Sequence, residues 1–237
     1  MMDKFVDALK ESKENQKKTE VVELDPDTGY YIVDEDTFEA MLGKGLIDEV
    51  FRLRDLQQRK LFINEDITQL SVEEPIRHIL QFNAEDRGKP ISERKPILLY
   101  LTSNGGEVDS GFELISAIET SETPVYTINL GYQYSMGFLI GLAGDKRYAM
   151  PYSKFLLHDG STYIYNSTGK AREQMKFQNR VEERLKEYIL GRSKLTEEAY
   201  DEYNNRKTEW YMFADEAKEL GFTDYIIGED CEITEIV

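Results

Sequence analysis

Ile97-Leu98-Leu99-Tyr100-Leu101 is an unbroken apolar run, closed almost at once by Ser103-Asn104-Gly105-Gly106. A strand that is apolar on both sides has to be covered on both faces, as parallel strands are inside an α/β sheet. The glycine pair then calls for a tight turn with backbone angles that side chains disfavour.

The sequence on either side keeps the same rhythm. Lys60-Leu61-Phe62-Ile63 reads as a short strand. Ser71, with Glu74 three residues on, reads as the capping box of a helix carrying Ile76, Ile79 and Leu80. Val108–Glu119 places Phe112, Ile115 and Ile118 at helical spacing, and Val125–Asn129 reads as a strand. Ser135–Leu142 reads as an apolar helix ended by Gly144. Arg147–Met150, Lys154–Leu157 and Tyr225–Ile227 are further strands. A long charged helix from Gly169 to about Leu190 carries a thin stripe of Met175, Val181, Leu185 and Ile189, the kind that packs on a neighbour or a partner. Other helices start near Thr196 and span Ala214–Leu220. Strand, crossover helix and strand repeated in this way predict an α/β fold with right-handed crossovers.

Residues 1–44 differ in character. Met1–Lys17 suits a polar helix with Phe5, Ala8 and Leu9 on one side. Glu20–Asp36 is acidic and holds the turn signals Asp25-Pro26-Asp27 and Thr28-Gly29. The expected organisation is an acidic N-terminal extension, 1–44, ahead of one domain, 45–237.

Charge narrows the function. Forty-six acids against 29 bases give a net charge of -17. That balance argues against a nucleic-acid binder and against docking on anionic membranes, both of which need basic patches. The single cysteine, Cys231, rules out an intrachain disulfide. Met1–Lys17 has no apolar core of a secretory signal, and the apolar stretch at Phe138–Ala143 is far too short to span a bilayer. The expectation is a cytoplasmic protein without metal or cofactor.

Only two histidines are available as a general base. His78 lies in an amphipathic helix and reads as a surface or boundary residue. His158 follows the strand Phe155-Leu156-Leu157, at the position where α/β folds carry functional groups, although taken alone it reads first as a structural histidine. Ser135 stands between a strand and an apolar helix. By itself it reads as a helix cap, the common role for serine; the same geometry would also suit a nucleophile whose oxyanion is met by helix N-terminal amides such as that of Met136. Gly105-Gly106 reads as a tight turn or as a backbone that a substrate approaches closely.

Four segments carry a family resemblance: Thr102–Gly106, Gly131-Tyr132-Gln133-Tyr134-Ser135-Met136-Gly137, Met150–His158 and Phe213–Asp224. In order and spacing they resemble the signatures of the Clp protease proteolytic subunit, ClpP, over roughly Val50 to Ile227. The resemblance implies the ClpP/crotonase-like fold of repeated β-β-α units with a protruding handle helix, here the helix from Gly169. It implies a serine endopeptidase that cleaves unfolded proteins or peptides through an acyl-enzyme. Ser135 matches the nucleophile, His158 the general base, and Gly106 and Met136 the oxyanion-hole amides. The third position of the triad, counted back from Glu216 and Ala217, falls on Glu209 where the family has Asp. Asp159, Asp201 and Asp215 are the other acids weighed.

The resemblance further implies a homo-oligomer of stacked rings, fed by a separate ATP-driven unfoldase of the AAA+ type, since no phosphate-binding loop is present in this chain. Asn104 replaces the family's Pro, Asp159-Gly160 replaces its Gln-Pro, and bulky Gln133 and Tyr134 stand where it has small residues. These last two are expected to alter the substrate pocket or occlude it. Three alternatives stand beside this reading. One is a dedicated processing protease, for example for a phage capsid protein. Another is a catalytically impaired ring subunit. The third is a crotonase-type acyl-CoA enzyme, against which the retained Ser135 and His158 count.

Overall fold

The computed structural model describes residues 23–24, 31–32, 46–161, 164–206 and 209–236. The chain divides into two compact units, Met1–Asp55 and Leu56–Val237. In the first, β1 (Glu23–Leu24) and β2 (Tyr31–Ile32) pair antiparallel, Glu23 with Ile32 and Leu24 with Tyr31. The helix expected over Met1–Lys17 and the turn signals between β1 and β2 lie outside the described residues. Helix α1 runs from Leu46 to Gln57.

The second unit is built on strands β3 (Lys60–Ile63), β4 (Ile97–Ser103), β5 (Val125–Tyr134), β6 (Lys146–Ala149), β7 (Lys154–Leu157), β8 (Trp210–Phe213) and β9 (Tyr225–Ile226). The order β3-β4-β5-β6-β9 is parallel throughout. The connections carry α2 (Gln69–Glu85), α3 (Val108–Glu119), α4 (Met136–Leu142), α5 (Thr168–Gly191), α6 (Glu197–Arg206) and α7 (Ala214–Glu219). Ile97, Leu99 and Leu101 on one face of β4 and Leu98 on the other are all buried, as an apolar run covered on both faces requires.

Two local expectations are corrected. The cap of α2 is Thr68, whose side chain accepts from the Ser71 amide while Ser71 Oγ accepts from the Thr68 amide. Ser71 therefore sits inside the first turn, and the reciprocal pair uses a hydroxyl where Glu74 was expected. Strand β5 runs five residues past Asn129. Its first half pairs with β6, and its second half, beyond Gly131, pairs with β7 in the register Tyr132–Lys154, Gln133–Phe155 and Tyr134–Leu156. Asn129 holds the change of partner, donating from Nδ2 to the Lys154 carbonyl at 3.0 Å and accepting from the Gly131 amide at 3.0 Å.

β7 also pairs antiparallel with β8, from Lys154–Phe213 to Leu157–Trp210. The core under this junction is aromatic. Phe138 of α4, 1% exposed, meets Phe222 edge-on at 4.9 Å and Phe155 at 6.4 Å. That locks α4 beneath the strand ends. Helix α5 spans 24 residues, about 36 Å at the α-helical rise. Its stripe is buried only at the C-terminal end. Ile189 is buried, Leu185 and Val181 are half-buried, and Met175 is exposed.

Candidate active site

Ser135 and His158 are neighbours because β5 and β7 are. The parallel pair Tyr134–Leu156 brings the two strand ends level, and the Ser135 amide donates to the Leu156 carbonyl at 2.9 Å. The next residues out therefore meet: His158 Nε2 lies 2.7 Å from Ser135 Oγ. Tyr203 of α6 holds the end of β7 by donating from its hydroxyl to the Leu157 carbonyl at 2.6 Å, with its ring 4.7 Å from that of Trp210.

Ser135 is not an ordinary helix cap. Its φ of 53° and ψ of -120° lie in a region that favours glycine, and its side chain caps nothing. The chain turns sharply from β5 into α4, which leaves Oγ facing the histidine.

The glycine turn closes the other side. Ile67 bridges to Gly106, its amide donating to the Gly105 carbonyl at 2.7 Å and its carbonyl accepting from the Glu107 amide at 2.9 Å. In a parallel bridge of this kind, the N–H of Gly106 points away from Ile67, toward the side where β5 lies. Both glycines are required by space. A Cβ at Gly105 would lie 2.6 Å from Ser135 Cβ, and one at Gly106 would lie 2.2 Å from the Ile67 carbonyl oxygen. Met136 is buried against Gly111, and its N–H begins α4.

Glu209 is exposed, and its Oε2 accepts a hydrogen bond from the Tyr211 hydroxyl at 2.8 Å. It stands one position beyond the Leu157–Trp210 pair. Continuing the ladder by a single step sets it opposite His158. Among the other acids, Asp201 is bound by Lys186 at 2.6 Å, and Asp159 lies in the wall of the neighbouring cavity. Asp215 sits exposed in the first turn of α7. His78 is half-buried on α2, 3.5 Å from Glu74 and stacked on Phe82.

Gln133 does not crowd the nucleophile. It is 3% exposed and lies under α4, where a Cβ at Gly141 would come within 2.1 Å of its Oε1. Tyr134 packs between Tyr132, at 5.0 Å, and Tyr211, at 5.8 Å. A cavity of about 360 Å³ opens beside His158, between the end of β7, α5 and α6. Sequence reasoning had no signal for it, since its walls come from segments that meet only in the fold.

A family model for Clp protease matches residues 46–230. The chain belongs to the Clp protease family. It is 30% identical over 193 residues to the ATP-dependent Clp protease proteolytic subunit 1 of Chlamydia pneumoniae, covering 76% of this chain and 95% of that one. It is 29% identical to the proteolytic subunit 2 of Nocardia farcinica, covering 80% and 90%. A solved mutant of ClpP1 from Listeria monocytogenes superposes with a TM-score of 0.65 at 19% identity, over 79% of this chain and 99% of that one, which speaks to the fold. The expected ClpP-type α/β fold and serine-type peptidase class are thereby borne out. Among the described residues, no helix is long and apolar enough to cross a membrane.

Proposed function

We propose that this Clp protease family member is a serine endopeptidase in which Ser135 is the nucleophile and His158 the general base. The observation that carries the reading is the 2.7 Å contact between Oγ and Nε2 at a serine held in a strained backbone turn. With Nδ1 carrying the ring proton, Nε2 takes the hydroxyl proton as Oγ adds to the substrate carbonyl. The amides of Gly106 and Met136 receive the oxyanion. The protonated His158 then hands its proton to the leaving amine, which departs and leaves an acyl group on Ser135. Water, deprotonated by the same imidazole, releases the acid. Glu209 is the acid that orients the ring. The ladder register supports this role, although its carboxylate now accepts from Tyr211.

Substrates are peptides and unfolded proteins. The catalytic domain is 45–237, with 1–44 as an appended extension, which the start of the family match at residue 46 supports. The working form is a homo-oligomer of stacked rings joined through α5 and fed by a separate AAA+ unfoldase in the cytoplasm. The exposure of most of α5 supports its role as the joining element, and the names of the relatives support the ATPase.

Fluorophosphonate labelling tests the chemistry. Wild type should take up one probe per chain, and Ser135→Ala none. His158→Ala should lower the labelling rate at least about a hundredfold. An unlabelled wild type in its assembled state overturns the reading, and a stable monomer by light scattering overturns the ring.

A further inference from the structure

We infer that the cavity beside His158 receives a basic substrate side chain, so that cleavage is favoured next to lysine or arginine. The inference rests on the serine-peptidase reading and adds the substrate class. His158 forms part of the cavity wall and touches Ser135, so a residue whose carbonyl sits at Oγ has its side chain within reach of this space. A volume of about 360 Å³ falls in the range of specific ligand pockets.

The lining has two levels. Leu139, Leu157 and Ile189 form an apolar floor and are nearly fully buried. Around it stand four carboxylates, Asp159, Glu182, Glu183 and Asp201, against the single ammonium of Lys186. Lys186 is committed to the α6 side, 2.6 Å from Asp201 and 2.9 Å from Glu197. Among the described residues, Glu182 and Glu183 form no ion pair. An alkyl stem over an apolar floor with a cationic head among carboxylates is how lysine and arginine bury themselves. A glutamate side chain in the same place would meet like charge, and a leucine would leave Glu182 and Glu183 without a cation.

Lys186 is an internal precedent. It places an ammonium against this wall, 5.6 Å from the centre of the Tyr200 ring, and its proton affinity is raised by its hydrogen bonds to Asp201 and Glu197.

The test uses the full-length assembled protein and fluorogenic peptides that differ only in the residue before the scissile bond: Arg, Lys, Leu or Glu. Arg and Lys should exceed Leu in kcat/KM by at least about tenfold at low salt, about 1.4 kcal/mol. Glu should be the poorest substrate. The advantage should shrink as ionic strength rises. It should largely vanish in Glu182→Gln/Glu183→Gln and move toward Glu in Glu182→Lys. The salt series on wild type tests the same point if a variant misfolds. A wild type that labels at Ser135 but prefers Leu, or shows no salt-sensitive preference, overturns the specificity and leaves the peptidase reading intact. A wild type that does not label overturns both.

Discussion

Glu209 comes one residue before Trp210, whose pairing with Leu157 closes the β7–β8 ladder, and its carboxylate accepts from the Tyr211 hydroxyl at 2.8 Å. Opposed residues on an antiparallel pair have Cβ atoms about 5 Å apart on the same face. If the ladder continued by one pair, Glu209 would come within reach of the imidazole Nδ1–H after a change of rotamer. Tyr211 competes for that carboxylate, and the bond raises the pKa of the phenol. Glu209→Ala is therefore predicted to lower kcat by at least about tenfold through loss of ring orientation. Tyr211→Phe is predicted to raise kcat a fewfold while leaving the fold unchanged. Steady-state kinetics on the two variants and their combination check this. If Glu209→Ala cleaves like wild type, another acid orients His158.

The route to this pair shows what was legible in the sequence. Ser135 and His158 each carried a local signal, the end of an apolar strand, and the glycine turn announced its own geometry. Local patterns could not show that β5 would run through Gly131 to meet β7, because that extension depends on a partner strand and on the Asn129 side chain. Gln133 looked like an obstruction beside the nucleophile. Strand alternation turns it under α4 instead, where Gly141 leaves room for it. The acidic cavity brings together α4, the end of β7, α5 and α6, and no spacing rule relates them.

The strained turn at Ser135 has a cost that can be measured. A non-glycine residue at φ 53° and ψ -120° carries about 1–3 kcal/mol of strain. Ser135→Gly removes that strain along with the nucleophile. It is predicted to abolish cleavage and labelling while raising stability by about 1 kcal/mol despite the added freedom of the unfolded chain. Denaturant unfolding of Ser135→Gly beside Ser135→Ala, which keeps the strain, is the measurement. Equal stabilities would mean that the turn is not strained.

Gly105 is held both by space and by backbone angle. Its φ is 101°, and an added Cβ would fall 2.6 Å from Ser135 Cβ and 2.8 Å from the Tyr134 carbonyl oxygen. Neither group can retreat, since β5 is paired on both sides. Gly105→Ala is predicted to push the nucleophile off His158 and lower kcat/KM by about a hundredfold or more. It should also destabilise the domain by more than about 1 kcal/mol. Gly191→Ala, at the end of α5, is the control, because nothing lies within 4 Å of that position. A Gly105→Ala enzyme of normal activity would show that the turn does not set the position of Ser135.

Far from the site, Asp86 gives a pH prediction. It is 1% exposed and accepts from Arg59 at 2.5 and 2.9 Å, from Lys89 at 2.8 Å and from Thr123 at 3.0 Å. The Arg59 guanidinium, above all, holds its carboxyl well below the usual carboxylate range. A folded value below the unfolded one of about 3.9 means stability that is fully present above that pH and lost as pH falls toward the folded value. Asp86→Asn leaves the buried guanidinium with only the half-exposed Glu85 carboxylate, 3.7 Å away, and should cost about 3 kcal/mol at neutral pH. Since the variant has no carboxylate to protonate there, the gap between wild type and variant should hold from pH 7 to about pH 5 and narrow below about pH 4. Urea unfolding of both proteins across that range decides it, and a gap that widens on acidification would place the stabilising charge elsewhere.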